Sequence, residues 1–321
     1  MNTTRRSLLT LAAVALLALP ATNAAALDLL VTNDDGVDSP GLAALQAALA
    51  AAGHNVTVVA PADQQSGKGG SINTGVFDFS VGGGTMALVN RGGGVWSLAG
   101  TPADCVKAGL DVVLQGVAPD LVVSGLNAGQ NIGKPGSNAS GTEGAALQAV
   151  FRGIPSIAGS VGLDISESPD FPSTQAAYAP ASAFIVDVIA ALEAQPGDSL
   201  MPDRVNMLNI NFPVPYGDIQ GVAITRLGNG GDLELPLFDP SQGFPAFGIP
   251  PLPFPPCAST PPGGVCFATV GLGFSPPNGG KTNDQDEFRA GFISITPMDA
   301  DMSAGNKAEQ ATENVLGGLT P

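Results

Sequence analysis

Leu29-Leu30-Val31-Thr32-Asn33-Asp34-Asp35-Gly36 is the stretch around which the chain is organised. It starts as a short apolar run, as a buried strand of a parallel sheet does. It ends in two adjacent carboxylates and a glycine, and a helical pattern follows at once through Pro40, Leu42, Leu45 and Leu49. The acidic pair therefore falls at the carboxyl end of a strand, where open α/β sheets bind ligands. Two neighbouring carboxylates repel each other, and a cation between them removes the repulsion. Asn-Asp-Asp-Gly is also ordinary turn chemistry, so the pair needs support from elsewhere in the chain.

Working outward, His54 to Pro61 reads as a second strand, and Asp63 to Ser71 as the loop at its carboxyl end. Ser66 then shares an edge with Asp34 and Asp35. Lys68 sits among glycines but lacks the spacing and the following Ser/Thr of a phosphate-cradling Walker loop. Residues 72–94 suggest short strands or a hairpin. Thr101-Pro102-Ala103-Asp104 has the pattern of a capped helix start. Pro119 to Gly125 is a further buried strand, running into a polar loop that begins with Asn127. Ser140-Gly141-Thr142 opens the next helix, where free backbone N–H groups suit an anion such as phosphate; an ordinary N-cap is the competing reading. A strand at 154–158 and a helix from Ala176 to Leu192 follow. Val205–Ile210, Val222–Thr225 and Phe292–Thr296 read as strands.

The ends of the chain differ from its middle. Arg5 and Arg6 precede an apolar run from Leu8 to Leu19, and Ala24-Ala25-Ala26 offers a cleavage site. Residues 1–26 thus read as an export signal, with a likeness to the twin-arginine type, implying a periplasmic or secreted protein. No later segment reads as long and apolar enough to span a membrane. With residues 1–26 removed, 10 basic side chains face 28 acidic ones, a balance of −18. That balance disfavours nucleic-acid polymers and anionic membranes as partners. Residues 228–280, dense in Pro, Gly and Phe, read as an extended arm, and 281–321 as a last strand and tail. Cys257 and Cys266 lie close together in that arm and could be joined in an exported protein. Cys105 reads as a small buried hydrophobe.

His54 is the only histidine, and it precedes its strand, on the edge opposite the acidic pair. A serine or cysteine triad built on histidine is therefore unsupported. The groups that share the carboxyl edge (Asp34, Asp35, Ser66 and Asn127) all offer oxygen, which suits Mg²⁺, Mn²⁺ or Ca²⁺ better than a soft metal.

The same residues resemble the SurE family of stationary-phase survival proteins, 5'/3'-nucleotidases. The resemblance is carried by Val-Thr-Asn-Asp-Asp-Gly-Val at 31–37, Val-Val-Ala-Pro at 58–61 and Gly-Thr-Pro-Ala-Asp-Cys-Val at 100–106. It continues in Val-Ser-Gly-Leu-Asn-Ala-Gly at 123–129, Ser-Gly-Thr at 140–142, Gly-Ile-Pro-Ser-Ile-Ala at 153–158, Leu-Asn-Ile-Asn at 208–211 and Gly-Phe-Ile-Ser-Ile-Thr-Pro at 291–297. It implies a Rossmann-like three-layer α/β/α sandwich over 27–227 with a C-terminal β-rich arm, assembled as a homodimer or larger oligomer. It implies divalent-metal hydrolysis of nucleoside monophosphates, with Asp34 and Asp35 as the catalytic acidic pair. Asp34, Asp35, Ser66 and Asn127 would be the metal ligands, Mg²⁺ or Mn²⁺ foremost. Asn33, Ser140, Gly141 and Thr142 would lie on the phosphate side. Gly70 and Gln130 depart from the family pattern, as does the proline-rich arm. Two other readings compete: a broad-specificity exported acid phosphatase, and a non-catalytic binding protein of the same fold.

Overall fold

The apolar runs form the centre of one mixed sheet. In the computed structural model, which describes residues 26–73, 83–231, 237–243, 250–270 and 282–299 together with residues 80, 301 and 314, the first strand is β1, Asp28–Thr32. Helix α1 (Pro40–Ala51), β2 (Asn55–Pro61), β3 (Leu88–Gly92), β4 (Val95–Leu98) and α2 (Pro102–Ala108) follow. Next come β5 (Leu121–Ala128), α3 (Gly133–Ala139), α4 (Gly141–Val150), β6 (Ser156–Val161), α5 (Pro172–Glu193) and β7 (Met207–Phe212). The described chain ends with β8 (Gly221–Ile224), β9 (Leu237–Phe238), β10 (Thr269–Val270), α6 (Asp284–Arg289) and β11 (Phe292–Met298). The export-signal reading falls on residues of which 1–25 lie outside the described ones.

Nine strands pair in the order β3-β4-β2-β1-β5-β6-β7-β11-β8. β4, β2, β1, β5, β6 and β7 are mutually parallel, while β3 and β11 run antiparallel to their neighbours β4 and β7. The chain proceeds from β1 to one side of the sheet and then crosses back to β5 on the other. The crevice between the carboxyl ends of β1 and β5 is therefore the switch point at which such sheets bind ligands. Helices cover both faces. The α1/α5 side buries Leu42, Leu45, Leu49, Ile185 and Ile189 against β1 and β5, and the α2/α4 side buries Val106, Leu110, Ala145 and Ala149 against Leu30, Val59 and Val122. This is a Rossmann-like α/β/α sandwich. Leu29, Leu30 and Val31 are 0–2 % exposed, and each is worth roughly 1.5–3 kcal/mol of burial, which fixes the strand that carries the acidic pair.

Local chemistry explains several boundaries. Thr101 forms a full capping box: its side chain accepts from the Asp104 N–H while Asp104 accepts from the Thr101 N–H. β3 and β4 form a hairpin across Gly93 and Gly94. Cys105 is buried, and Cys257 and Cys266 are bonded, with Cα atoms 5.1 Å apart. In the arm, β9 and β10 form a two-stranded antiparallel ribbon. Three expectations change. Asn127 lies within β5, paired with Ser160 after a register shift, rather than in the loop beyond it. The polar segment after Gly129 contains α3, hidden from pattern reading by its Gly, Pro and Ser content. Helix α5 is long and apolar enough to cross a bilayer by length and composition, yet it lies on the sheet with Ala177, Tyr178, Ala181, Ile185 and Ile189 buried.

Candidate active site

The carboxyl end of β1 delivers Asn33, Asp34 and Asp35 into the β1/β5 crevice. Asp34 is 3 % exposed, and Asp35 is less deeply buried. Asp35 Oδ2 accepts from the Ala128 N–H at 2.8 Å, bridging the crevice to the residue after Asn127. Asp34 Oδ1 accepts from the Thr142 hydroxyl at 2.6 Å. The first residues of α4 thus close over Asp34 from the far side. Gly141 is required there: a Cβ would stand 2.8 Å from the Asp34 Cβ and 2.9 Å from its Oδ2.

The electrostatics are those of two acids forced together away from water. Burial raises the Asp34 carboxyl above its ordinary value, opposed by the Thr142 hydroxyl and by the backbone N–H groups of Asp34, Thr142 and Gly141. Asp35 is pushed up to about 7, by burial first and then by the Asp34 charge. Both carboxyls therefore release their protons less readily than a solvated pair would.

Asn127 is 6 % exposed, and its side-chain N–H donates to Gly129 O at 2.6 Å. Its Oδ1 is buried without a hydrogen-bond partner. A buried carbonyl oxygen left in this way costs about 1–3 kcal/mol, which a hydrogen-bond donor or a cation at this end of β5 would offset. Asn33 behaves differently. Its amide donates to Gly36 O and Ser39 Oγ, at 3.0 and 2.7 Å, so its N–H groups are spent on the turn. Its Oδ1, also buried and unpartnered, can only accept.

Ser66 is brought in by the loop after β2. The Gln65 N–H donates to Asp34 O at 2.7 Å, which ties this loop to the end of β1 one residue from Ser66. The Ser66 hydroxyl is exposed and takes the Gln64 amide; no hydrogen bond joins it to the carboxylates among the described residues. The Gly69 N–H donates to Ala139 O at 3.0 Å, linking the loop to α3. Ser140 is the N-cap of α4, its Oγ accepting from the Glu143 N–H at 3.0 Å. The N-cap reading of Ser140 holds, and the helix start that follows bonds the Asp34 carboxylate. His54 lies at the other edge, its Nδ1 accepting from the Leu27 N–H. Among the described residues no three His, Cys, Asp or Glu side chains gather to hold a metal, so any cation here rests on two carboxylates and neutral oxygens.

Next to this site lies a polar cluster that the sequence motifs did not single out: the buried Glu143, Ser160, Asn209, Asn211 and Asp284, with the half-buried Asn131. One signal for it was available. Asn209 and Asn211 sit two apart in an otherwise apolar strand, so both point to one face of a buried sheet, where amides occur only with partners.

The family model "Survival protein SurE" matches residues 29–231. A 5'-nucleotidase SurE of Stenotrophomonas maltophilia is 33 % identical over 293 residues, 91 % of this chain and 96 % of that protein. A 5'-nucleotidase SurE of Cyanothece sp. is 39 % identical over 201 residues, 62 % of this chain and 68 % of that protein. The crystal structure of the SurE protein from Aquifex aeolicus superposes with a TM-score of 0.66 at 26 % identity, covering 89 % of this chain and 98 % of that one. With its family model matched from β1 to beyond β8, and with the crevice residues on the ends of the strands that the motifs occupy, the chain belongs to the SurE family.

Proposed function

We propose that the protein is a divalent-metal-dependent phosphomonoesterase that hydrolyses nucleoside 5'- or 3'-monophosphates to nucleoside and phosphate. The observation that carries the reading is the β1/β5 crevice: the buried Asp34 with the adjacent Asp35 at the end of β1, and at the end of β5 the unpartnered Asn127 Oδ1. The names of the relatives support the substrate class. Asp34, Asp35, Asn127 and, from the loop after β2, the Ser66 hydroxyl would hold the cation. All four are hard oxygen donors, the set that Mg²⁺ and Mn²⁺ take. A bound cation there would neutralise phosphate charge and lower the pKa of the attacking water.

The protein's own groups do the rest. Thr142 and the N–H groups at the start of α4 hold the Asp34 carboxylate in one orientation. Asp35 is fixed by the Ala128 N–H. The Ser140 hydroxyl, which accepts from the Glu143 N–H, keeps its own hydrogen for a phosphate oxygen at the helix start. Asn33 shapes the turn, since both its amide hydrogens are used there. The experiment is phosphate release from a panel of nucleoside monophosphates and simple phosphomonoesters. Preference for nucleotides supports this reading, equal turnover of all esters supports a broad phosphatase, and binding without release supports a non-catalytic protein.

A further inference from the structure

Glu143 is a fully buried carboxyl group for which the proposed chemistry has no use. It sits in the first turn of α4, next in sequence to Thr142, and is 0 % exposed. Its Oε1 accepts from Asn209 Nδ2 at 3.0 Å and its Oε2 from the Ser137 hydroxyl at 2.5 Å. Asn209 Nδ2 donates in addition to Asn131 O at 2.9 Å, and Asn211 Nδ2 donates to the same oxygen at 3.1 Å. Asn211 Oδ1 accepts from the Asn131 N–H at 2.7 Å. The Asn131 side-chain amide then donates to Ser160 Oγ at 2.9 Å and, more loosely, to Thr142 Oγ1 at 3.4 Å. Thr142 finally donates to Asp34.

These bonds tie Glu143 to Asn209 and Asn209 to the main-chain oxygen of Asn131, whose side chain in turn reaches Thr142 and, through it, Asp34. An amide hydrogen from Asn131 approaches the Thr142 oxygen, so the hydroxyl hydrogen is left to point at Asp34. We infer that Glu143 is a positioning residue: acting through Asn209 and Asn131, it holds the Thr142 hydroxyl as a donor to Asp34 and keeps that carboxylate ready for a cation. The inference rests on the function proposed above for the catalytic consequence, though not for the geometry. The two oxygens of Glu143 accept from Asn209 and Ser137 together, which offsets the desolvation cost of the buried group. Asp284 is the charged group that faces it from α6. Asp284 accepts from the Gly133 and Gly228 N–H groups, at 2.8 and 2.7 Å, and so pins the start of α3 while Glu143 pins Ser137 near its end.

The test uses the full chain with Glu143→Gln, Glu143→Leu, Thr142→Val and the double variant Glu143→Leu/Thr142→Val. Gln can accept from Asn209 and donate to Ser137, so it should stay within about twofold of wild type. Leu should weaken Mn²⁺ binding, read by calorimetry, and lower kcat by about tenfold or more with little change in KM, as loss of an outer partner of a metal ligand does. Added to Thr142→Val, it should cost less than about twofold further, because both changes break one path. Hydrogen exchange of the Asn131 amide in metal-free protein gives a readout independent of activity: faster in Glu143→Leu, unchanged in Glu143→Gln. Unchanged exchange in Glu143→Leu, equal damage from Gln and Leu, or fully additive losses would overturn the inference. If wild type releases no phosphate while exchange follows the pattern, the proposed reaction fails and the positioning path stands.

Discussion

Replacing Thr142 by Val removes one hydroxyl group and almost no volume. In the structure that hydroxyl donates to the buried Asp34 carboxylate at 2.6 Å, and it is the strongest of the groups that oppose the burial-driven rise of the Asp34 pKa. A hydrogen bond to a charged group is worth about 1.5–3 kcal/mol. Its loss should raise the Asp34 pKa further. Protons then compete better with a cation, so Mn²⁺ affinity near neutral pH should fall roughly 10- to 100-fold, as for other outer-shell losses. The deficit should be largest at low pH and narrow as pH rises. Thr142→Ser, which keeps the hydroxyl, should stay close to wild type. Calorimetric Mn²⁺ titrations at several pH values, with circular dichroism to establish folding, provide the assay. A folded Thr142→Val protein with wild-type affinity across that range would refute the argument that this hydroxyl prepares Asp34.

Gly141→Ala places a methyl group 2.8 Å from the Asp34 Cβ; the resulting displacement should lower turnover on the order of a hundredfold with the fold retained, and near-normal phosphate release would contradict the close approach. Metal-free protein should lose thermal stability as pH rises. Asp35 and Glu143 have folded pKa values raised to about 7 and about 8, so their contribution is complete below the usual carboxylate range and disappears as pH climbs through 7 and 8. Tm measured from mildly acidic to alkaline pH checks this, Glu143→Gln should flatten the upper part of the fall, and a Tm that rose with pH would reverse the sign. Exported protein should begin near residue 26, which mass spectrometry of the mature chain reads directly; retention of Met1 would remove the export proposal.

Most of the sheet was legible because its central strands are unbroken apolar runs ending in polar, glycine-bearing turns. Asp34 and Asp35 stand out for the same reason, as charges at the end of a run that excludes charge. Asn127 was harder to place. The glycine before Leu126 looked like the end of the strand, whereas the sheet continues past a register shift to Ala128. The switch-point crevice depends on strand order, which no local pattern contains. The polar path through Asn131, Asn209 and Glu143 was hidden for a related reason. Its members lie on β7, α4 and the segment before α3, and only pairing β6 with β7 brings Asn209 and Asn211 beneath Asn131. Ser66 remains the member whose place is least fixed by local bonding, since its hydroxyl faces solvent and Gln64.

The central claim is that the β1/β5 crevice is a metal-dependent phosphoesterase site built on Asp34 and Asp35. Its most direct measurement is phosphate release from a nucleoside monophosphate by wild type, by EDTA-treated protein before and after addition of Mg²⁺ or Mn²⁺, and by folded Asp34→Asn and Asp35→Asn proteins. Chelation should abolish release and added metal restore it, and each Asn variant should lose turnover by orders of magnitude even with metal present, since charge stabilisation in such sites supplies several kcal/mol of barrier lowering. Full activity in metal-free wild type, or in folded Asp34→Asn protein, would place the chemistry elsewhere.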